Sequence, residues 1–350
     1  MIKELNNIFF DILQWHQKRI EFLVLFIEAL IKVRTVNFSE LAEAFNTSLD
    51  KESNYRRIQR FFLEYNFSFK DIAKLLISFI PQEKLTLCID RTQWLNTNIF
   101  FLGVEYKGVS IPIIWDNLDK KGSSNTQERK DMLIEFINIL GIDKIGVLLA
   151  DREFIGKDWF KWLNDMKIPF MIRIKDNLLL EKTNGQKSNA RNFFRCYIPK
   201  ELNKELFDID LKIIGTKISK DDYLIVATNL QEADLKIYAK RWSIETMFLC
   251  FKSKGFNLED TKMTDPEKIN KLIALISITF CWCFIVGKHY QKKKSKFRKD
   301  LNCYSKSIFK LGLEIIRNAL FNPITKRKIL YNCIRLFSRQ LLAFKKSVVE

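Results

Sequence analysis

Two apolar runs, Leu85–Ile89 and Ile145–Ala150, each end on an aspartate, Asp90 and Asp151. The second run is uninterrupted, the pattern of a central strand covered on both faces. Each acid therefore sits where a buried strand meets its C-terminal edge, the usual position for functional groups in α/β sheets. A carboxylate is too costly to bury alone. Each one either marks a strand end facing water or binds something cationic, and for a single strand-end aspartate the first is the ordinary case.

The surrounding pattern predicts a sheet. Leu85–Thr92, Ile99–Tyr106 and Val109–Trp115 are short β-rich runs separated by Asn96-Thr97-Asn98 and Lys107-Gly108, the signature of an antiparallel meander. An amphipathic helix is expected over Asn125–Leu140, with Thr126 as candidate cap. Strand Ile145–Ala150, a helix near Lys157–Met166 and strand Phe170–Ile174 follow. This succession resembles a ribonuclease H-like core. The expected fold class is α/β: a ribonuclease H-like catalytic domain over residues 85–255, interrupted by a β-rich insertion at about 178–230 and flanked by helical regions 1–80 and 256–350. No internal repeat is present.

Residues 1–80 read as helical. An initial helix runs to about Arg34, Ser39 is a candidate cap for Glu40–Phe45, and a polar turn leads to Lys51–Glu64. The last two form a candidate helix-turn-helix whose second member carries Arg56, Arg57 and Arg60, side chains able to reach phosphates and base edges. An ordinary helical hairpin with a solvated charged face fits the same residues. Beyond the catalytic region, Lys268–His289, Ser305–Leu320 and Lys326–Lys345 are helical in pattern.

Composition narrows the partners. A formal net charge of +18 over 350 residues points to a polyanion, with nucleic acid ahead of a membrane surface. The seven cysteines form no C-x-x-C pair and only His16 and His289 are present, so a Cys/His zinc site or a Ser-His-Asp triad is disfavoured. Reduced, mostly buried thiols in a cytoplasmic protein are expected. No glycine-rich phosphate loop occurs. Phe22–Ile31 is interrupted by Glu28 and followed by no cleavage site, and Leu272–Val286 falls short of the about 20 residues a bilayer span needs. Both are expected to be core helices, with no membrane partner.

Near the end of the catalytic region, Tyr238, Arg241, Glu245 and Lys252 share one predicted helix, Ala233–Lys252. At about 100° per residue they fall within roughly a 60° arc. A phenol, a guanidinium, a carboxylate and an ammonium on one stripe can hold a metal and a phosphate together. If Glu245 converges with Asp90 and Asp151, three negative charges require a divalent cation between them. Oxygen ligands without histidine select Mg²⁺ or Mn²⁺. Two such ions, about 3.5–4 Å apart, activate a water or 3′-hydroxyl and stabilise the departing oxygen of an in-line displacement.

These residues resemble the DDE transposases of the bacterial insertion-sequence-four family, which carry Tyr-x2-Arg-x3-Glu-x6-Lys. Tyr238, Arg241, Glu245 and Lys252 reproduce that spacing, with Leu87-Cys88-Ile89-Asp90 and Ala150-Asp151-Arg152-Glu153-Phe154 as the aspartate segments. The resemblance implies that Asp90, Asp151 and Glu245 are the catalytic metal ligands for two Mg²⁺ or Mn²⁺ ions, and that Tyr238, Arg241 and Lys252 grip phosphates of the transposon end. It further implies double-stranded DNA partners, terminal inverted repeats and target, and at least a homodimer when two ends are held together.

Several positions keep two readings. Trp242 offers a ring to an unstacked base, or is a core tryptophan. Some family members cleave through a DNA hairpin with an aromatic wedge in the insertion; residues 178–230 hold no tryptophan here, leaving Phe207 and Tyr223. Glu153 can assist Asp151, or be solvated. Lys288, Lys292, Lys293, Lys294, Lys296, Arg298 and Lys299 form a basic run that either lies on DNA or is a solvated loop. A ribonuclease H-like nuclease without strand transfer, and an inactive domesticated DNA-binding protein, remain as alternatives to a transposase.

Overall fold

The computed structural model describes residues 2–94, 97–294, 297–298 and 303–349. Asn96 of the expected turn, and Lys296 and Lys299 of the basic run, lie outside them. The chain divides into two compact units: Gln82–Met247, and Met1–Pro81 together with Phe248–Glu350. The terminal helices thus form one unit rather than two separate regions.

The first unit is a mixed α/β structure on one eight-stranded sheet. Strands β1 (Leu85–Trp94), β2 (Thr97–Tyr106) and β3 (Val109–Asn117) form the expected meander, with β1–β2 and β2–β3 antiparallel. Helices α6 (Thr126–Leu140) and α7 (Lys157–Asp165) flank β4 (Ile145–Ala150) in sequence, and β5 (Phe170–Arg173) follows. Such crossovers allow β4 to run parallel to both β1 and β5. Buried on both faces, β4 needs its uninterrupted apolar sequence. The cap of α6 is Asn125, one residue ahead of the expected Thr126. Asn125 accepts from the Glu128 amide while Glu128 returns a bond to the Asn125 amide, a full capping box.

The stretch at 178–230 differs from a separate insertion. A small hairpin, β6 (Leu179–Glu181) with β7 (Lys187–Asn189), stands alone, but β8 (Lys200–Glu205), β9 (Asp210–Lys217) and β10 (Tyr223–Thr228) join the main sheet. The order is β3-β2-β1-β4-β5-β10-β9-β8, with β10 antiparallel to β5. Leu224–Ala227 is buried because β5 and β9 flank it.

The second unit is helical. In place of one initial helix there are α1 (Ile2–Leu13) and α2 (Gln17–Val33), divided at Gln14, whose φ is 52°, and His16, which caps α2. Then come α3 (Phe38–Ala44), α4 (Lys51–Glu64) and α5 (Phe69–Ile77). Asn37 caps α3 by accepting from the Ser39 amide at 2.9 Å, so Ser39 lies inside the helix. Helices α10 (Pro266–Lys294), α11 (Ile308–Phe321) and α12 (Arg327–Val349) complete the unit.

By length and composition α10 is apolar enough to cross a membrane, but 89% of that window is buried inside the fold, as in a core helix. It meets α11 at two glycines. A Cβ on Gly312 would lie 1.7 Å from the Cys283 carbonyl oxygen, and one on Gly287 would lie 1.8 Å from that of Ile308. Helix α2 is a core helix as expected, with Phe22, Leu23, Phe26, Ile27, Leu30 and Ile31 buried. Among the described residues Cys88, Cys250, Cys281, Cys283 and Cys333 are buried and in no disulfide, and Cys196 is exposed.

Candidate active site

The sheet brings the two aspartates together. Ile89 of β1 pairs with Ala150 of β4 in parallel register, so Asp90 and Asp151 follow the last registered pair on neighbouring strands. Asp151 lies past the end of β4 as expected, whereas Asp90 lies within β1, which runs on to Trp94 because it continues to pair with β2. Beyond Ala150 the chain turns into a short 3₁₀ segment, Arg152–Phe154. Asp90 Oδ1 accepts from the Arg91 amide at 2.8 Å, and Oδ2 faces Arg241 Nη1 at 3.4 Å. Burial pushes the Asp90 carboxyl up to about 7, with Glu153 and Asp151 adding to the rise while the Arg91 amide and Arg241 oppose it. Asp151 Oδ1 is buried with no hydrogen-bond partner among the described residues.

Glu153 is held, not solvated. Its Oε2 accepts from Arg91 Nε at 2.9 Å, and its Oε1 is buried without a partner. Its backbone carbonyl accepts from Nη2 of Arg129 at 3.1 Å. Arg129 sits at a buried position of α6, 5% exposed, where it also binds Ser124 and lies 5.1 Å over the Phe154 ring. Phe154 in turn stacks on Phe100 of β2. The turn carrying Asp151 is therefore fixed from three sides. Sequence reasoning missed Arg91 and Arg129; an arginine on the apolar stripe of α6 was the available signal.

The predicted single helix at 233–252 is two helices. Helix α8 (Leu235–Ala239) ends, Lys240 and Arg241 form a turn, and α9 (Trp242–Phe251) begins. Bonds of three-residue span cross the break, from the Arg241 amide to Tyr238 and from the Ile244 amide to Arg241. The uniform rotation behind a shared stripe does not hold across such a turn. Cys88 of β1 fastens the break to the sheet, its sulfur 3.8 Å from the Lys240 carbonyl and 3.7 Å from the Ser243 hydroxyl.

The four stripe residues therefore have different surroundings. Tyr238 is 1% exposed and its hydroxyl donates to the Ala150 carbonyl at 3.3 Å, so it steadies the end of β4 rather than reaching a phosphate. Arg241, 4% exposed, spans two carboxylates, with Nη2 on Glu245 Oε1 at 2.7 Å and Nη1 toward Asp90. Burial works against its charge, but Tyr238, Glu245, Asp151 and Asp90 hold it above its ordinary value. Glu245 is half exposed. Trp242 is 46% exposed under the Arg241 guanidinium, which excludes the core reading. Lys252 follows the last residue of α9 and pairs with Glu259 at 3.3 Å, both in the helical unit.

Among the described residues no three His, Cys, Asp or Glu side chains come close enough to hold a metal ion. Arg241 instead supplies the positive charge between Asp90 and Glu245. The donor chemistry nevertheless suits a hard divalent cation: oxygens only, with one buried carboxylate oxygen unpartnered on each of Asp151 and Glu153.

In the helical unit, α3 and α4 form the expected pair. The turn between them is fastened by Asn54, whose amide donates to the carbonyls of Ala42 and Leu49 and accepts from the Thr47 hydroxyl. Arg56 and Arg60 lie on the exposed face of α4 with Gln59 and Leu63. Arg57 is turned inward; burial lowers its pKa and Glu21 opposes that. Of the aromatic candidates, Phe207 packs edge-on against Phe160 at 5.6 Å, whereas Tyr223 is half-buried beside Lys217.

Residues 112–282 match the family model described as "Transposase DDE domain". Asp151, Tyr238, Arg241, Glu245 and Lys252 lie inside the match, and Asp90 lies before it. No curated protein matches the chain. Seven chains of solved structures match. One is a cryo-EM structure of the piggyBac transposase synaptic complex with hairpin DNA, at 12% identity over 96% of this chain and 82% of that one. Its TM-score of 0.47 marks a likeness too distant to carry a functional argument.

Proposed function

We propose that this chain, a DDE transposase enzyme by the domain it carries over residues 112–282, binds the terminal inverted repeats of an insertion sequence, cuts the DNA there and joins the 3′-hydroxyls to target DNA in the cytoplasm. One observation carries the reading: Asp90 and Asp151 follow a registered pair on adjacent parallel strands, and Arg241 ties Asp90 to Glu245. The strand order β3-β2-β1-β4-β5 supports a ribonuclease H-like core. The spacing of Tyr238, Arg241, Glu245 and Lys252 supports the insertion-sequence-four family.

In this reading Asp90, Asp151 and Glu245 would hold Mg²⁺ or Mn²⁺. Two such ions, when bound, would supply Lewis-acid activation of a water or 3′-hydroxyl and positive charge to offset the departing oxygen. The chain's own residues prepare the site. Burial keeps Asp90 poorly hydrated, so a cation competes with little water for it. Arg91 and Arg129 fix the Asp151–Glu153 turn, and Tyr238 fixes the strand end before it. Arg241 keeps Glu245 beside Asp90 despite their like charges. Exposed Trp242 offers a face to an unstacked base, and Lys252 a charge to a phosphate. Arg56 and Arg60 on α4 would lie along the end sequence. Holding two ends at once requires at least two copies.

The test uses a plasmid carrying the element's own ends. Asp90→Ala, Asp151→Ala and Glu245→Ala should each abolish Mg²⁺-dependent cleavage while end binding persists. Wild-type cutting by any of the three would sink the assignment.

A further inference from the structure

A cleft of about 380 Å³ opens in the helical unit between the C-terminal end of α2 and helix α11. Three of its lining side chains are cations: Arg34, Lys310 and Arg317. Its one acid, Glu314, is paired with Lys306. Arg34 Nε is buried with no hydrogen-bond partner among the described residues. Arg317 is braced, with Nε donating to the Lys32 carbonyl at 2.9 Å and the guanidinium 5.2 Å over the exposed Phe321 ring. At the rim Lys326 adds a fourth positive charge, bound to Asn318 at 2.7 Å.

Gathering cations around a concave surface without matching carboxylates costs free energy, which an anion recovers. A braced guanidinium is the group best shaped for a phosphate, because its planar donors are pre-set and lose little freedom on binding. An exposed ring beside the cations suits a sugar or base adjoining that phosphate. We propose that this cleft binds a backbone phosphate of DNA, a contact made by residues that neither the Asp90 centre nor the Arg56–Arg60 face uses. The proposal rests on reading the chain as a DNA-cutting transposase.

Anisotropy of a labelled duplex, titrated with full-length protein across a salt series, tests it. Lys310→Gln and Arg34→Gln should each weaken binding and lower the slope of log affinity against log salt by about one, the loss of one phosphate contact. Lys310→Arg should restore the slope, and melting temperatures should stay unchanged. Arg317 is left intact because it closes the Lys32 carbonyl. An unchanged slope in both variants, with wild-type protein binding DNA normally, overturns the cleft alone. Stabilisation by inorganic phosphate that is lost in both variants, again with an unchanged DNA slope, makes it a small-anion site and also overturns the proposal. Wild-type protein that binds no duplex at any salt removes the transposase reading as well.

Discussion

Ile89 and Ala150 are partners on adjacent parallel strands, and an aspartate directly follows each of them. Parallel pairing carries β1 and β4 the same way, so Asp151, just past the end of β4, and Asp90, four residues before the end of β1, follow the same registered pair although sixty-one positions separate them in sequence. An antiparallel pairing would have sent them to opposite ends of the paired stretch.

Asp90 is expected to limit stability. Its folded-state pKa of about 7 lies above the ordinary carboxyl value of about 3.9. Between about pH 4 and 7 the folded protein therefore holds a proton that the unfolded chain has lost, and stability falls as pH rises through that window. Asp90→Asn should remove this slope and raise stability at pH 8 by ~1–3 kcal/mol, while cleavage is lost. Melts in chelator across pH check this; an identical pH slope in both proteins would refute it.

Tyr238→Phe removes only the hydroxyl bound to the Ala150 carbonyl. A loss of ~0.5–1.5 kcal/mol is expected from denaturant melts. DNA affinity should not change, because the ring is buried; a weakened end complex at unchanged stability would restore the phosphate role.

Arg129→Gln should loosen the Asp151 turn by freeing the Glu153 carbonyl. The expected result is a stability loss of ~1–3 kcal/mol and slower cleavage at saturating DNA, with end affinity retained. Equal losses in affinity and rate would point to general unfolding instead.

Arg56→Ala and Arg60→Ala should each flatten the salt dependence of end binding, whereas Arg57→Ala should not, since Arg57 faces inward beside Glu21. Anisotropy titrations separate the three. Equal effects from all of them would mean α4 docks by another face.

Gly312→Ala should destabilise the helical unit by ~1–3 kcal/mol or more, because the methyl would meet the Cys283 carbonyl oxygen. Calorimetry reads this directly. An unshifted melting temperature would mean α10 and α11 separate without cost.

Local pattern alone was enough for much of this protein. The meander, the α6 and α7 helices, the buried β4 and its terminal Asp151 follow from periodicity and turn residues, because those signals lie within a few positions of one another. Long-range pairing was not legible. That Leu224–Ala227 would lie beside β5 and extend the main sheet depends on which strand edge is free, which no local pattern encodes. The break at Lys240–Arg241 was hidden for a related reason: the residues there are good helix formers, and nothing local marks where the segment meets Cys88 of β1.

The sequence by itself determined the acids that follow two apolar runs, the spacing from Tyr238 to Lys252 and the basic charge that calls for a polyanion. Tertiary structure decided what each group faces. It buried Tyr238, turned Arg57 inward, exposed Trp242, fixed Glu153 between Arg91 and Arg129, and set Arg241 between Asp90 and Glu245. Residue type and spacing establish what a side chain can do; desolvation and the charges around it, assembled from distant segments, establish which of those things it does.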